Sequence, residues 1–248
     1  MFDLNLVSQL LENIEFLVVS KLKDECLSDK RQKVLVPKIL QNLEEVSIED
    51  CGNLKVVFQN VEENVCSRIL KLLNLRKLPK LSHIWELPIQ HDRLEALEEL
   101  KIWDFPSLKS IFSTSLAQSF ALLEKFEIRY CGELKQIVTE SGDGGEEISS
   151  SISSNSLCFP KLRQAHIKEC DDLEYIFPML MAPQGILQLE NLCVHDCLPL
   201  KQLVRRIEGR IEKATVLQQL QFSKPSTEFS VSGCPLASVK RLICSFKS

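Results

Sequence analysis

The sequence predicts an α/β solenoid, in which short repeats stack side by side and each gives one strand to a parallel β-sheet on the concave face. Irregular or short helical segments are expected on the convex side. Two observations predict this. A seven-position apolar phrase, clearest as Leu97-x-x-Leu100-x-Ile102-x-x-Phe105-x-x-Leu108-x-x-Ile111-Phe112, recurs along the chain. Aromatic residues make up only 6% of the 248 positions, so leucine and its aliphatic relatives must fill the core.

The copies follow in order. A weaker first copy is Leu11, Ile14, Phe16, Val19 and Leu22. The second is Leu43, Val46, Ile48, Cys51, Leu54, Val57 and Phe58, and the third Leu70, Leu73, Leu75, Leu78, Leu81, Ile84 and Trp85. After the unit at Leu97 come Leu123, Phe126, Ile128, Cys131, Leu134, Ile137 and Val138. Leu162, Ala165, Ile167, Cys170, Leu173, Ile176 and Phe177 form the sixth, and Leu189, Leu192, Val194, Cys197, Leu200, Leu203 and Val204 the seventh. A decayed last copy is Leu217, Leu220 and Phe222. The starts at 11, 43, 70, 97, 123, 162, 189 and 217 are separated by 32, 27, 27, 26, 39, 27 and 28 residues. This period falls in the range of roughly 20–29 residues typical of leucine-rich repeats, whose signature is L-x-x-L-x-L-x-x-N/C-x-L. The fold is therefore expected to be a leucine-rich-repeat solenoid, a curved right-handed superhelix, with residues 1–248 as a single domain.

The pattern has a direct physical reading. Apolar residues two apart, such as Leu100 and Ile102, lie on one face of a short strand. The later apolar positions at intervals of three mark the chain turning away and returning over the core. One unit buries about six side chains at roughly 1.5–3 kcal/mol each, against roughly 1–2 kcal/mol per residue for ordering its backbone. A lone unit cannot fold, and stacked units sharing their faces can.

Composition narrows the function classes. Hydrophobic residues are 44% and charged residues 26%, which excludes a disordered chain, a collagen and a polytopic membrane protein. Lys and Arg number 30 against 34 Asp and Glu, a net charge of −4, which argues against an electrostatic nucleic-acid binder. No stretch approaches the roughly 18 apolar residues of a membrane span. The start Met1-Phe2-Asp3-Leu4-Asn5 lacks the features of a signal peptide, and no Asn-x-Ser/Thr sequon occurs. The spacing of the ten cysteines is not that of a small secreted scaffold. A reducing, cytoplasmic setting is expected.

Residues 141–156 carry seven Ser, three Gly and three acidic residues, and read as a mobile insertion that accounts for the 39-residue interval. They suit a tolerated insertion or a docking loop. Ser28-Asp29-Lys30-Arg31-Gln32-Lys33 marks a second insertion. Thr114 to Ala121 has cap residues before an apolar run and predicts a short convex helix. Helices are also expected over 61–73 and 208–217. Leu4, Leu6, Leu10 and Leu11 lack a polar cap, which predicts an end that is sticky or joined to upstream sequence. Phe229 to Leu236 reads as one more degenerate unit or a cap.

The variant of the repeat is distinctive. Cys51-Gly52-Asn53-Leu54-Lys55 and Cys131-Gly132-Glu133-Leu134-Lys135 set two residues between Cys and the next Leu. With Leu97 to Phe112 and Phe159 to Cys170 they give the form L-x-x-L-x-I-x-x-C-x-x-L-K-x-I-F. These phrases, over about residues 11–222, resemble the C-terminal repeats of plant intracellular nucleotide-binding leucine-rich-repeat (NLR) immune receptors, especially the coiled-coil class. The resemblance implies a recognition and autoinhibitory role. It implies as partner a pathogen effector, a guarded host protein or the receptor's own nucleotide-binding module. The family's phosphate-binding G-x-x-x-x-G-K-[ST] loop is absent, and the acidic run Gly142-Asp143-Gly144-Gly145-Glu146-Glu147 does not replace it. The chain thus looks like the repeat domain alone.

Residues flanking the inward pair should point into the concave surface. One column is Glu15, Ser47, Asn74, Lys101, Glu127, His166, Cys193 and Gln221. The next is Leu17, Glu49, Arg76, Trp103, Arg129, Lys168, His195 and Ser223, with Lys77, Asp104 and Tyr130 just beyond. Arg76, Lys101, Trp103, Arg129, Tyr130, His166, Lys168 and His195 are the candidate protein-binding residues, because Trp, Tyr and Arg dominate binding hot spots. The same residues also suit an ordinary solvated sheet face.

Other constellations are weaker. Cys131, Cys170 and Cys197 fall at equivalent inward positions, at a spacing that permits a disulfide, but buried cysteines donating weakly to turn carbonyls is the favoured reading. A zinc site lacks a fourth ligand and any C-x₂-C pair. In Cys193-Val194-His195-Asp196-Cys197, alternation sends Cys193 and His195 outward and Cys197 inward. Arg205, Arg206, Arg210 and Lys213 are interleaved with Glu208 and Glu212 and read as a salt-bridged solvated face. No G-x-S-x-G or H-E-x-x-H occurs, so neither a catalytic constellation nor a cofactor or metal site is expected. The leading function is a non-catalytic interaction module. One alternative is the substrate-binding repeat domain of an F-box ubiquitin-ligase adaptor, which would need an F-box helix bundle ahead of the repeats. Another is an extracellular receptor ectodomain, which would need sequons and capping disulfides.

Overall fold

In six consecutive repeats the apolar pair two residues apart becomes the centre of a five-residue strand. The pairs are Val46 and Ile48, Leu73 and Leu75, Leu100 and Ile102, Phe126 and Ile128, Ala165 and Ile167, and Leu192 and Val194, all buried. The structure is a computed structural model. It describes residues 15–21, 43–58, 69–85, 95–139, 158–177, 188–200, 202–204 and 228–234.

The principal strands are β1 (Phe16–Ser20), β2 (Glu45–Glu49), β4 (Leu72–Arg76), β6 (Glu99–Trp103), β8 (Lys125–Arg129), β10 (Gln164–Lys168), β12 (Asn191–His195) and β14 (Glu228–Ser232). They lie in that order in one eight-stranded sheet. Every pairing is parallel and in register, so that Asn74 sits beside Ser47 and Lys101 beside Asn74. The solenoid and its parallel concave sheet are as the sequence predicts.

Among the described residues the opposite wall also carries strands, because the apolar pair closing each phrase is extended and pairs with its neighbour. These are β3 (Val56–Phe58), β5 (His83–Trp85), β7 (Ser110–Ser113), β9 (Gln136–Thr139), β11 (Tyr175–Phe177) and β13 (Gln202–Val204). β7, β9, β11 and β13 make a second parallel sheet, and β3 pairs with β5. Stacking that holds one wall in register holds the other. Among the described residues one helix forms, α1 (Thr114–Ser119), where one was expected. Ser113 caps it by accepting from the Leu116 N–H at 3.2 Å. The helix expected over 61–73 is not formed at its described end, where β4 begins at Leu72.

The two end repeats correct the predicted frame. Leu17 and Val19, not Ile14 and Phe16, align with Val46 and Ile48. Both pack on the core, while Phe16 is 53% exposed and Val18 50% exposed. Phe16-Leu17-Val18-Val19 is an unbroken apolar run, so alternation gave it no phase. At the other end β14 pairs directly with β12, aligning Phe229 with Leu192 and Val231 with Val194. The degenerate unit at 229–236 thus supplies the next strand. The copy expected at 217–222 lies outside the described residues, as do the insertions at 28–33 and 141–156, the helix at 208–217, the basic run at 205–213 and Leu4, Leu6, Leu10 and Leu11.

Two backbone devices tie neighbouring repeats. At each strand entry from β2 to β12 one carbonyl of the preceding repeat accepts two N–H groups, as Lys71 O does from Glu98 (2.8 Å) and Glu99 (2.9 Å), and Glu98 O from Glu124 (2.9 Å) and Lys125 (3.0 Å). At each strand exit the next residue turns left-handed: Lys21, Asp50, Lys77, Asp104, Tyr130, Glu169, Asp196 and Gly233 have φ between 51° and 67°. That turn aims the N–H at the neighbouring strand, as from Lys77 to Trp103 O and from Tyr130 to Lys168 O, both at 2.9 Å. Gly233 is the residue such a turn favours, and a Cβ there would crowd the Asp196 side chain.

The long interval between the fifth and sixth repeats is bridged by aromatic packing. The Phe159 ring lies 5.0 Å from that of Phe112 and 6.4 Å from those of Phe120 and Phe126. Its N–H donates to Ala117 O at 3.2 Å. The next repeat is thereby seated on α1 and its flank, and Trp85 joins the cluster through Phe120 at 5.8 Å.

Two outcomes follow for stability. Phe159→Ala should cost about 3–5 kcal/mol, read as a lower midpoint in urea denaturation. Lys77→Gly should instead stabilise by about 0.5–1 kcal/mol, since a left-handed backbone disfavours a Cβ and the exposed side chain leaves the core untouched. Thermal melting of the variant checks this.

Candidate functional site

Strict register turns single residues into columns. Val18, Ser47, Asn74, Lys101, Glu127, His166, Cys193 and Ser230 form one outward column of the concave sheet. Ser20, Glu49, Arg76, Trp103, Arg129, Lys168, His195 and Ser232 form the next. From Ser47 to Cys193 and from Glu49 to His195 these are the expected columns. The expected end members change: Leu17 faces the core, Ser230 and Ser232 take the last places, and Gln221 and Ser223 lie outside the described residues.

Trp103 is the centre of the second column. Its ring is flanked from both sides, with Arg76 Cζ at 5.2 Å and Arg129 Cζ at 5.1 Å from the ring centroid. In the next repeat Lys168 Nζ lies 5.7 Å from the Tyr130 ring, which is 44% exposed at its left-handed turn. Each such contact contributes about 0.5–1 kcal/mol at an exposed site and more when desolvated. Arg76, Trp103, Arg129, Lys168 and Tyr130 therefore form one connected cation–aromatic strip. Their donors are also held by acids: Arg129 pairs with Glu127, and Lys168 Nζ lies 3.2 Å from Glu169 Oε1. The Glu169 hydrogen bond holds the Lys168 ammonium above its usual pKa range.

The remaining candidates lie beside this strip, not within it. Lys101 is drawn to Glu99 (3.2 Å), which Lys125 also reaches at 2.9 Å. Burial pushes the Glu99 carboxyl up, but the bonds from Lys125 and Lys101 outweigh it and hold the group below the usual carboxylate range. His166 stands between Glu127 and Cys193 in the register. Its Nε2 is buried with no hydrogen-bond partner among the described residues, as are Trp103 Nε1 and Asn74 Oδ1. His195 turns toward the last repeat, with Nδ1 2.6 Å from Ser232 Oγ. Sequence reasoning missed Glu127 as the partner of Arg129, and Glu99 as the partner of Lys101 and Lys125 beside the strip. Part of the signal was present, since Glu127 stands two residues before Arg129 and Glu99 two before Lys101.

The cysteines sit as the sequence suggests. Cys51, Cys131, Cys170, Cys197 and Cys234 each turn Sγ toward the carbonyl two residues back, at 3.3 to 3.6 Å. No disulfide joins the described cysteines. Cys51, Cys131, Cys170 and Cys197 each also open a tight turn, as in Leu54 N–H to Cys51 O and Leu134 N–H to Cys131 O, both at 3.2 Å, which explains the two-residue spacing to Leu. Cys193 points away from the core and donates to Asn191 Oδ1 at 3.1 Å, so it does not converge with Cys197. Among the described residues no group of three or more His, Cys, Asp or Glu is placed to hold a metal ion. None of their helices is long and apolar enough to cross a membrane.

Residues 2–132 match the family model described as plant disease resistance protein RPS2-like, leucine-rich repeats. Among solved structures, the chain is similar to the leucine-rich repeat domain of the type III effector XopL, with 15% identity and a TM-score of 0.44. That likeness covers 92% of this chain and 80% of the other. No curated protein matches the chain.

Buried thiols make stability pH-dependent. Burial pushes the Cys158 thiol up to about 11, above the unfolded value near 8.5. A group with a raised folded pKa contributes stability that is full below the unfolded pKa and lost as pH rises through the folded one. Melting temperature should therefore fall between about pH 8.5 and 11, and Cys158→Ala should flatten that part of the profile.

Proposed function

The chain belongs to the RPS2-like leucine-rich-repeat family of plant disease resistance proteins, and from that premise we propose that it is the non-catalytic recognition module of a cytoplasmic NLR-type immune receptor of the coiled-coil class. Leucine-rich-repeat domains are protein-interaction modules, and the concave strip is the surface through which this one binds. The observation that carries the reading is the placement of Trp103 between Arg76 and Arg129 in the middle of the array. Large aromatic and guanidinium groups held rigid before contact lose little entropy on binding. The partner is a protein: a pathogen effector, a guarded host protein or the nucleotide-binding module of the receptor itself. The F-box adaptor alternative gains nothing from the family match.

Trp103→Ala and Arg129→Gln should each abolish capture of a protein partner from leaf extract. Lys135→Glu, in the exposed segment leading to β9, should leave capture unchanged. Circular dichroism melting confirms that each variant is folded. Equal capture by all three variants and the parent chain would overturn the assignment of the concave face.

A further inference from the structure

The geometry points to an acidic, extended protein segment as what the concave strip takes, laid across the strands from the repeat of Arg76 to that of Lys168. The inference rests on the reading of the concave face above and specifies the chemistry of its partner.

Four consecutive repeats place Arg76, Trp103, Arg129 and Lys168 side by side in one column. In a chain of net charge −4, that column holds no carboxylate between Glu49 and the last repeat. Adjacent strands are about 4.8 Å apart, so the column offers a cation or an indole at each step. Both guanidinium groups are held over the Trp103 ring, with Cζ 5.2 and 5.1 Å from its centroid. A guanidinium carries a fork of N–H donors that matches a carboxylate with two parallel bonds. Trp103 Nε1 adds a buried donor with no acceptor among the described residues. Donors thus exceed acceptors along the strip, and the ligand must supply acceptors.

The surroundings are mixed in charge. Lys77, Asp104, Tyr130 and Glu169 follow the strip on one side, at the strand exits. Lys101 and Glu127 lie on the other, in the strands themselves. A phosphate backbone would leave the aromatic surface of Trp103 and Tyr130 unused. A single extended chain that alternates carboxylates with apolar side chains matches both, its acids on the guanidiniums and its apolar groups on Trp103 and Tyr130.

The test uses the whole chain and fluorescein-labelled octapeptides of alternating Glu and Leu, read by fluorescence anisotropy. The Glu peptide should bind, weaken as salt is raised, and lose roughly tenfold or more in affinity with Arg76→Gln/Lys168→Gln. The same peptide with Gln for Glu should not bind. Both substituted side chains are off the core, so the double variant should keep its fold, which its melting curve verifies. Equal binding of the Glu and Gln peptides, an unaltered affinity in the double variant, or preference for a single-stranded oligonucleotide of equal length would each overturn the inference. If Trp103→Ala still abolishes partner capture while the double variant binds the Glu peptide like the parent chain, the acidic-segment inference fails and the concave-face reading stands.

Discussion

Parallel, in-register hydrogen bonding from one repeat to the next is the constraint on which the rest of this molecule depends. A single repeat has too few buried side chains to offset the entropy of ordering its backbone. Its strand entry and strand exit each leave backbone groups that only a neighbour can satisfy. The left-handed turn at the exit meets that need at every described junction of the larger sheet, and the shared carbonyl at the entry at each junction from β1 to β12. An unpaired buried N–H costs on the order of a hydrogen bond, so slippage between repeats is penalised at both ends of every strand. The left-handed turn has its own cost, of about 1–2 kcal/mol for a residue with a Cβ, and it is borne here by Lys, Asp, Tyr and Glu.

Register then decides the chemistry of the exposed face. Because no strand is offset, residues about 27 positions apart in sequence become lateral neighbours. Arg76, Trp103 and Arg129 owe their contact to this arithmetic and to nothing local. The same arithmetic brings Lys125 to Glu99 and seats the Asn74 amide on Ser47 at 2.9 Å. A charge placed on one repeat is read by the repeats on either side. The face is thus a set of coupled columns, in which a substitution at Trp103 changes the setting of two arginines in different repeats.

The middle of the array was legible because its strands alternate cleanly. Leu100-Lys101-Ile102-Trp103 and Phe126-Glu127-Ile128-Arg129 state which side chains go in and which go out, and the predicted columns there match the register. The first repeat was not legible, because Phe16 to Val19 are all apolar and either phase is plausible until a neighbour chooses. The last strand was legible only as a degenerate unit or cap at Phe229 to Leu236, because the 37-residue step from Leu192 to Phe229 breaks the period of about 27. The second wall of strands was missed for a different reason. Pairs such as Ile111-Phe112 and Ile137-Val138 are too short to show any periodicity, and their pairing follows from stacking rather than from local sequence. The Glu99–Lys125 pair was overlooked because it spans two repeats, and that lateral proximity comes only from the register.

The Phe159 seat bears on how such an array can change. The ladder resumes in phase at Gln164 although 18 residues separate Thr139 from Cys158. An aromatic anchor that fixes where the chain re-enters makes the length of what lies between irrelevant to the stacked core. That junction is a natural splice point. New sequence can be grafted or trimmed there with little disturbance to the columns on either side, so diversification at the seam and diversification on the concave face are separable degrees of freedom.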